Sequence, residues 1–146
     1  MNSGVIIIFS NEEQEISKSN LKDLMKIKTN RLCFVNNGSS DNTLSFLNEI
    51  KFKSAEKISV LDIKNNKGIN PAIKAGARSL LSESEFDFIV YLKSNMLDYL
   101  DDLNRYMKSL KKNKEGYISL PTRSNRNVLK NVFSLEELLL TKGVAV

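Results

Sequence analysis

Four times in this chain a short apolar run stops at a polar turn that opens a helix, and the sharpest instance is Leu32 to Asn42, Leu-Cys-Phe-Val-Asn-Asn-Gly-Ser-Ser-Asp-Asn. A run such as Leu32 to Val35, with no polar residue alternating through it, suits a strand buried on both faces, as in a parallel sheet covered by helices. Gly38 then permits backbone angles that other residues avoid. Ser39, Ser40 and Asp41 offer N-caps for a helix reaching about Ile50, with Leu44, Leu47 and Ile50 at helical spacing. Asn36 and Asn37 fall just past the strand's C-terminal end, where open parallel sheets bind their ligands. On these residues alone, a capped strand-to-helix turn with no ligand is the better description of the corner.

The same alternation orders the rest of the chain. Val5 to Phe9 is a β-branched and aromatic run, followed by Ser10-Asn11-Glu12-Glu13 and a helix ending near Met25 or Ile27. Lys57 to Ile63 is a third strand; its loop, Lys64 to Gly68, leads to Asn70 and Pro71, an N-cap with proline at the first helical position, and a helix through Ile73, Ala77, Leu80 and Leu81. Phe86 to Leu92 is a fourth strand ending at Lys93-Ser94-Asn95-Met96. A helix from Leu97 to Leu110 carries Leu97, Leu100, Leu103, Met107 and Leu110 on one face. Gly116 to Leu120 is expected as a fifth short strand, and Thr122 to Asn131 as a polar loop or edge segment. Ser134 and Glu137 make a capping box for a short helix stopped by Gly143. Alternating strand and helix signals give an α/β fold: a mostly parallel sheet with helices on both faces. With 146 residues and no linker or repeat, one domain is expected over 1–146, its core in 1–121 and an irregular segment with a short helix in 122–146.

Composition narrows the chemistry. There is no histidine, so the commonest general base near neutral pH and the commonest transition-metal ligand are both absent. Cys33, the single cysteine, lies within an apolar run and reads as a core residue; no disulfide can form within the chain. A reducing, cytoplasmic setting is expected, with no signal peptide and no membrane span. The net charge of +5 favours anionic ligands, but the 22 basic residues are spread along the chain, which argues against nucleic acid. Lys111, Lys112 and Lys114 suit a helix C-terminus.

Three segments, in order, carry a resemblance: Val5 to Glu13 with its Asn11-Glu12 turn, Val35-Asn36-Asn37-Gly38-Ser39-Ser40-Asp41-Asn42-Thr43, and Asn66-Lys67-Gly68 ahead of Ala72 and Gly76. Together they resemble the nucleotide-sugar half of the family 2 inverting glycosyltransferases, over roughly the first two thirds of the chain. The resemblance implies a GT-A, Rossmann-like architecture, here truncated, that binds a nucleoside diphosphate sugar across the strand ends. It implies nucleotide-binding roles for Ser10, Asn11, Glu12, Asn37, Gly38, Asn66, Gly68, Lys93 and Asn95. Asn37 stands where the family has an aspartate that contacts the base, and Asn36 replaces the aspartate before it.

The fourth strand departs from the family. Where the family has Asp-x-Asp, whose carboxylates hold Mn or Mg and the ribose, this chain aligns Lys93-Ser94-Asn95. Lysine has no acceptor and repels a cation, so the metal ligands are expected to be lost. Two readings of Lys93 stand: an ammonium taking the metal's place against the diphosphate, or an exposed strand-end lysine in a site without catalytic duty. Asp98, Asp101 and Asp102 are candidates for a displaced metal site, or ordinary partners of a helix dipole. No catalytic base is assigned: Glu136 and Glu137 are the carboxylates of the tail, and capping accounts for Glu137. The expected function is a glycosyltransferase-like protein with weakened or lost catalysis. The alternative is a non-catalytic nucleotide-binding or interaction module on the same fold. A second copy or a partner chain is expected to cover the sheet edge or supply the acceptor site.

Overall fold

The computed structural model describes residues 2–10, 24, 26–38, 42–53, 57–112 and 131–141. Five parallel strands form one sheet: β1 (Ser3–Phe9), β2 (Arg31–Asn37), β3 (Ile58–Ile63), β4 (Phe88–Lys93) and β5 (Val132–Ser134). Their spatial order is β3-β2-β1-β4-β5. Between them run α1 (Thr43–Lys53), α2 (Ile69–Glu83), a 3-10 helix (Ser94–Tyr99) and α3 (Leu100–Lys112), and α4 (Leu135–Thr141) follows β5.

β1 is buried along its whole length because it lies at the centre, paired with β2 on one side and β4 on the other. Its side chains alternate between two cores, as the two-residue period of a strand requires. Val5, Ile7 and Phe9 join Phe34, Leu47, Leu103 and Met107 on the α1 and α3 face. Ile6 and Ile8 join Cys33, Val35, Ala72, Ile73 and Ala77 under α2. Phe9 and Phe34 meet edge to face, their ring centres 5.6 Å apart. Cys33 is fully buried and free, and burial pushes its thiol up to about 11, which keeps it protonated and inert at neutral pH. α2 lies close to β1: a Cβ on Gly76 would come within 2.8 Å of Ile6 Cγ2. This close approach explains a glycine in the middle of a helix.

Several boundaries differ from the sequence reading. Asn36 and Asn37 are the last residues of β2, paired with Asp62 and Ile63, rather than residues beyond it. α1 starts at Thr43, and the Asn42 carbonyl accepts the first helical bond from Phe46 N, which puts Asn42 at the capping position; residues 39–41 lie outside the described ones. α2 starts at Ile69 with Gly68 as its cap, so Pro71 is the third helical residue, still in the turn whose N–H groups have no helical acceptor. Leu97 falls in the 3-10 helix rather than in α3. β5 was not expected: the polar stretch before it masked three strand residues, Val132, Phe133 and Ser134, that pair with Ile89, Val90 and Tyr91. The expected strand at 116–120 lies outside the described residues, as do Lys114 and Gly143. Lys112 ends α3 as anticipated, and Ser134 Oγ accepts from Glu137 N at 3.4 Å, one half of the capping box.

Candidate functional site

In this strand order the chain leaves β1 for β2 on one side and later returns to place β4 on the other, so the C-terminal ends of β1 and β4 flank the switch point of the sheet. The paired register sets Ile8 level with Lys93 and Phe9 level with Asn36. A cleft of about 390 Å³ opens there. Ile8 lines it from β1 and Ser10 from just past the end of that strand, Asn37 from β2, Asn66 and Gly68 from the loop into α2, and Ile69 from the first turn of α2. Lys93, Ser94 and Asn95 close it from β4 and the 3-10 helix.

Hydrogen bonds join the β2 corner to the loop after β3. Asn37 Nδ2 donates to Asn66 Oδ1 and to the Gly68 carbonyl, each at 3.3 Å. Asn66 Oδ1 also accepts from Gly68 N at 2.8 Å, a local turn that shapes the loop, and Asn66 Nδ2 donates to Ser10 Oγ at 3.4 Å. Gly38 N donates to the Ile63 carbonyl at 2.7 Å. Gly38 has φ +71, and a Cβ there would lie 2.4 Å from Asn66 N. Glycine is therefore required twice over, by backbone angle and by the loop pressed against it. The two glycine-bearing segments that looked separate in the sequence are one packed unit.

Asn36 and Asn37 point to opposite faces, as consecutive strand residues do. Asn37, 4% exposed, belongs to the cleft; Asn36, 2% exposed, turns to the other face and donates through Nδ2 to Asp62 Oδ1 at 3.0 Å. The Asn36 Oδ1 is buried with no donor among the described residues. Asn36 is thus a cross-strand partner of Asp62, outside the cleft lining.

Ser10, Asn37, Asn66, Gly68, Lys93 and Asn95 from the sequence reading converge on the cleft, and Gly38 supports it from behind. Asn11 and Glu12 lie outside the described residues. Sequence reasoning missed Ile8, Ile69 and Ser94. A strand would turn the residue after Lys93 away from the cleft, but β4 stops at Lys93 and the tighter turn of the 3-10 helix keeps 93, 94 and 95 together.

A divalent ion of the kind the family uses wants several oxygen ligands, carboxylates foremost. The described lining offers amides, hydroxyls and backbone, with no carboxylate, and Lys93 is its one charged side chain. This donor set does not fit a divalent cation. Among the described residues no three His, Cys, Asp or Glu side chains come together. Asp101 and Asp102 sit in the first turn of α3, where the dipole favours them, and Asp102 pairs with Arg105. Among the described residues, no helix is long and apolar enough to cross a membrane.

The chain is 35% identical over 107 residues to an uncharacterized protein of Methanocaldococcus jannaschii, a match covering 72% of this chain and 45% of that protein. It therefore spans about half the length of that relative. Two solved structures share the fold. S. aureus TarS 1-349 in complex with UDP-GlcNAc superposes with a TM-score of 0.53 at 19% identity, over 76% of this chain and 32% of TarS. The mannosyltransferase PcManGT of Pyrobaculum calidifontis, in complex with GDP-Man and Mn2+, gives 0.51 at 15% identity, over 64% of this chain and 27% of its own. The family model for glycosyl transferase family 2 matches residues 4–140, spanning all five strands and nearly all of α4. The chain with its switch-point cleft belongs to glycosyl transferase family 2.

Proposed function

We propose that the cleft takes the nucleoside diphosphate of a sugar donor, and that the chain is the donor-binding part of a glycosyltransferase whose catalysis is weakened or lost. The observation that carries this reading is the convergence of Ser10, Asn37, Asn66, Gly68, Lys93 and Asn95 on one crevice at the switch point. Asn37 has both amide hydrogens engaged, and its Oδ1 is the group left to accept a hydrogen from a base. The neighbours TarS and PcManGT, solved with UDP-GlcNAc and GDP-Man, name the ligand class to try first. In this proposal residues 1–146 act as one domain in the cytoplasm, and the acceptor is recognised by a further segment, a second copy or a partner chain, consistent with the 45% coverage of the archaeal relative.

One observation favours a second reading, a binding module without catalysis: no carboxylate lines the described cleft, so neither a metal ligand nor a base stands there. Calorimetric titration with UDP, GDP, UDP-GlcNAc and GDP-mannose tests the binding reading, which predicts saturable binding of at least one; no heat with any of them would overturn it. Release of UDP or GDP from the sugar it binds, followed over hours, then separates a transferase from a module that only binds.

A further inference from the structure

The charge of the cleft goes further than the fold does. A nucleoside diphosphate brings negative charge that must be met inside the crevice, and enzymes meet it with metal ions, cationic side chains or helix amino ends. Lys93 supplies the only formal charge in the described lining. Lys93 forms no ion pair with a described residue. It stands at the end of β4, level with Ile8 of β1, on the strand pair that flanks the switch point. Across the cleft, Gly68 and Ile69 open α2 and line the same space, so the positive end of the helix dipole borders it.

We propose that Lys93 is the diphosphate's counter-charge, and that this cleft binds a nucleoside diphosphate without a divalent cation. The proposal rests on the reading that the cleft is a donor site. A metal ion and the Lys93 ammonium would repel each other at this strand end, and the neutral Ser94 and Asn95 cannot offset that repulsion. With the ion disfavoured, the ammonium and the amino end of α2 are what the described lining offers a diphosphate. A lysine suits the task because its compact charge on a flexible stem reaches oxygens of either phosphate without a fixed geometry. Asn95, exposed beside it, has an amide free of the metal-ligand role and can donate to a phosphate or sugar oxygen.

The test is titration of the full chain with UDP, GDP, uridine and guanosine, in EDTA and in manganese. The expected result is diphosphate binding in EDTA, changed by manganese less than about twofold, and weakened about tenfold or more by Lys93→Met, the loss of one charge-assisted contact. Lys93→Arg should keep most of the affinity. Lys108→Met removes an equal charge from an exposed residue of α3 outside the lining and should change little. Nucleoside binding should be the same in all variants. Diphosphate binding that requires manganese, or that survives Lys93→Met, overturns the counter-charge and leaves the donor-site reading standing. Absence of binding by every ligand overturns both.

Discussion

The two strand ends that face each other across the cleft carry amides and a lysine where the resemblance leads one to expect carboxylates, and they hold them in opposite ways. At the end of β2 the groups are buried amides: Asn37 holds the loop before α2 through Asn66 and Gly68, and Asn36 holds Asp62 on the next strand. At the end of β4 the groups, Lys93 and Asn95, are exposed and bond to no described side chain. The first corner therefore answers to the fold as well as to any ligand. The second answers to little except what enters the cleft. Mutations at the two corners should separate accordingly, into losses of stability and changes of binding.

The largest effect is expected at Gly38. Replacing it with alanine forces a side chain into the left-handed region and against Asn66 N, 2.4 Å from the new Cβ. Left-handed strain and overpacking together amount to about 2–4 kcal/mol, read as a lower midpoint in urea unfolding. The Asn66 loop must also move, so nucleotide affinity should fall with stability. An unfolding midpoint equal to that of the parent chain would mean that the corner is not the structural unit described, and the contrast with β4 would fail.

The next effect is at Asn37. Asn37→Asp, the acid that the resemblance leads one to expect there, removes both donors and sets a carboxylate against Asn66 Oδ1 and the Gly68 carbonyl. Two lost hydrogen bonds and a buried charge make a loss of about 1–3 kcal/mol at pH 7. Protonating the new acid restores one donor, and burial raises its pKa above the unfolded value. The deficit should therefore be smallest below about pH 4 and grow as pH rises through the raised value. A variant as stable as the parent at pH 7 would show that the amide network is dispensable, and that the two corners differ less than their burial implies.

Much of this was legible beforehand because it depends on local rules. The runs at Val5 to Phe9 and Leu32 to Val35 declared buried parallel strands, and Gly38 declared a turn that only glycine tolerates. What the sequence hid was long-range. Nothing in Asn36-Asn37 says that consecutive amides serve opposite faces until β3 supplies Asp62 on one side and the Asn66 loop appears on the other. Gly76 looked like a motif position, and the structure gives its reason in the Ile6 side chain of a strand about seventy residues away in sequence. β5 escaped because three residues are too few to show a period, and its strand character comes from pairing with β4. Ser10, Asn37, Asn66, Gly68, Lys93 and Asn95 meet at one cleft for a related reason: strand ends are recognisable locally, and the parallel topology gathers them at one edge of the sheet.

The smallest effect on stability, and the one that bears most directly on the contrast, is expected at β4. Lys93→Asp with Asn95→Asp places two carboxylates at an exposed strand end where the parent side chains bond to no described side chain, so unfolding should shift by no more than about 0.5 kcal/mol. Binding should change in kind. Two acids beside Ser94 supply oxygen ligands and remove the repelling ammonium, so nucleoside diphosphate affinity in EDTA should fall, and affinity in manganese should exceed it by about tenfold or more. A double variant that stays stable but shows no dependence on manganese would mean that this strand end does not face the diphosphate. One that unfolds would mean that Lys93 and Asn95 are held by contacts beyond the described residues. Gain of metal dependence at unchanged stability is the outcome that only a ligand-facing β4 corner produces, set against a β2 corner where placing the acid costs the fold.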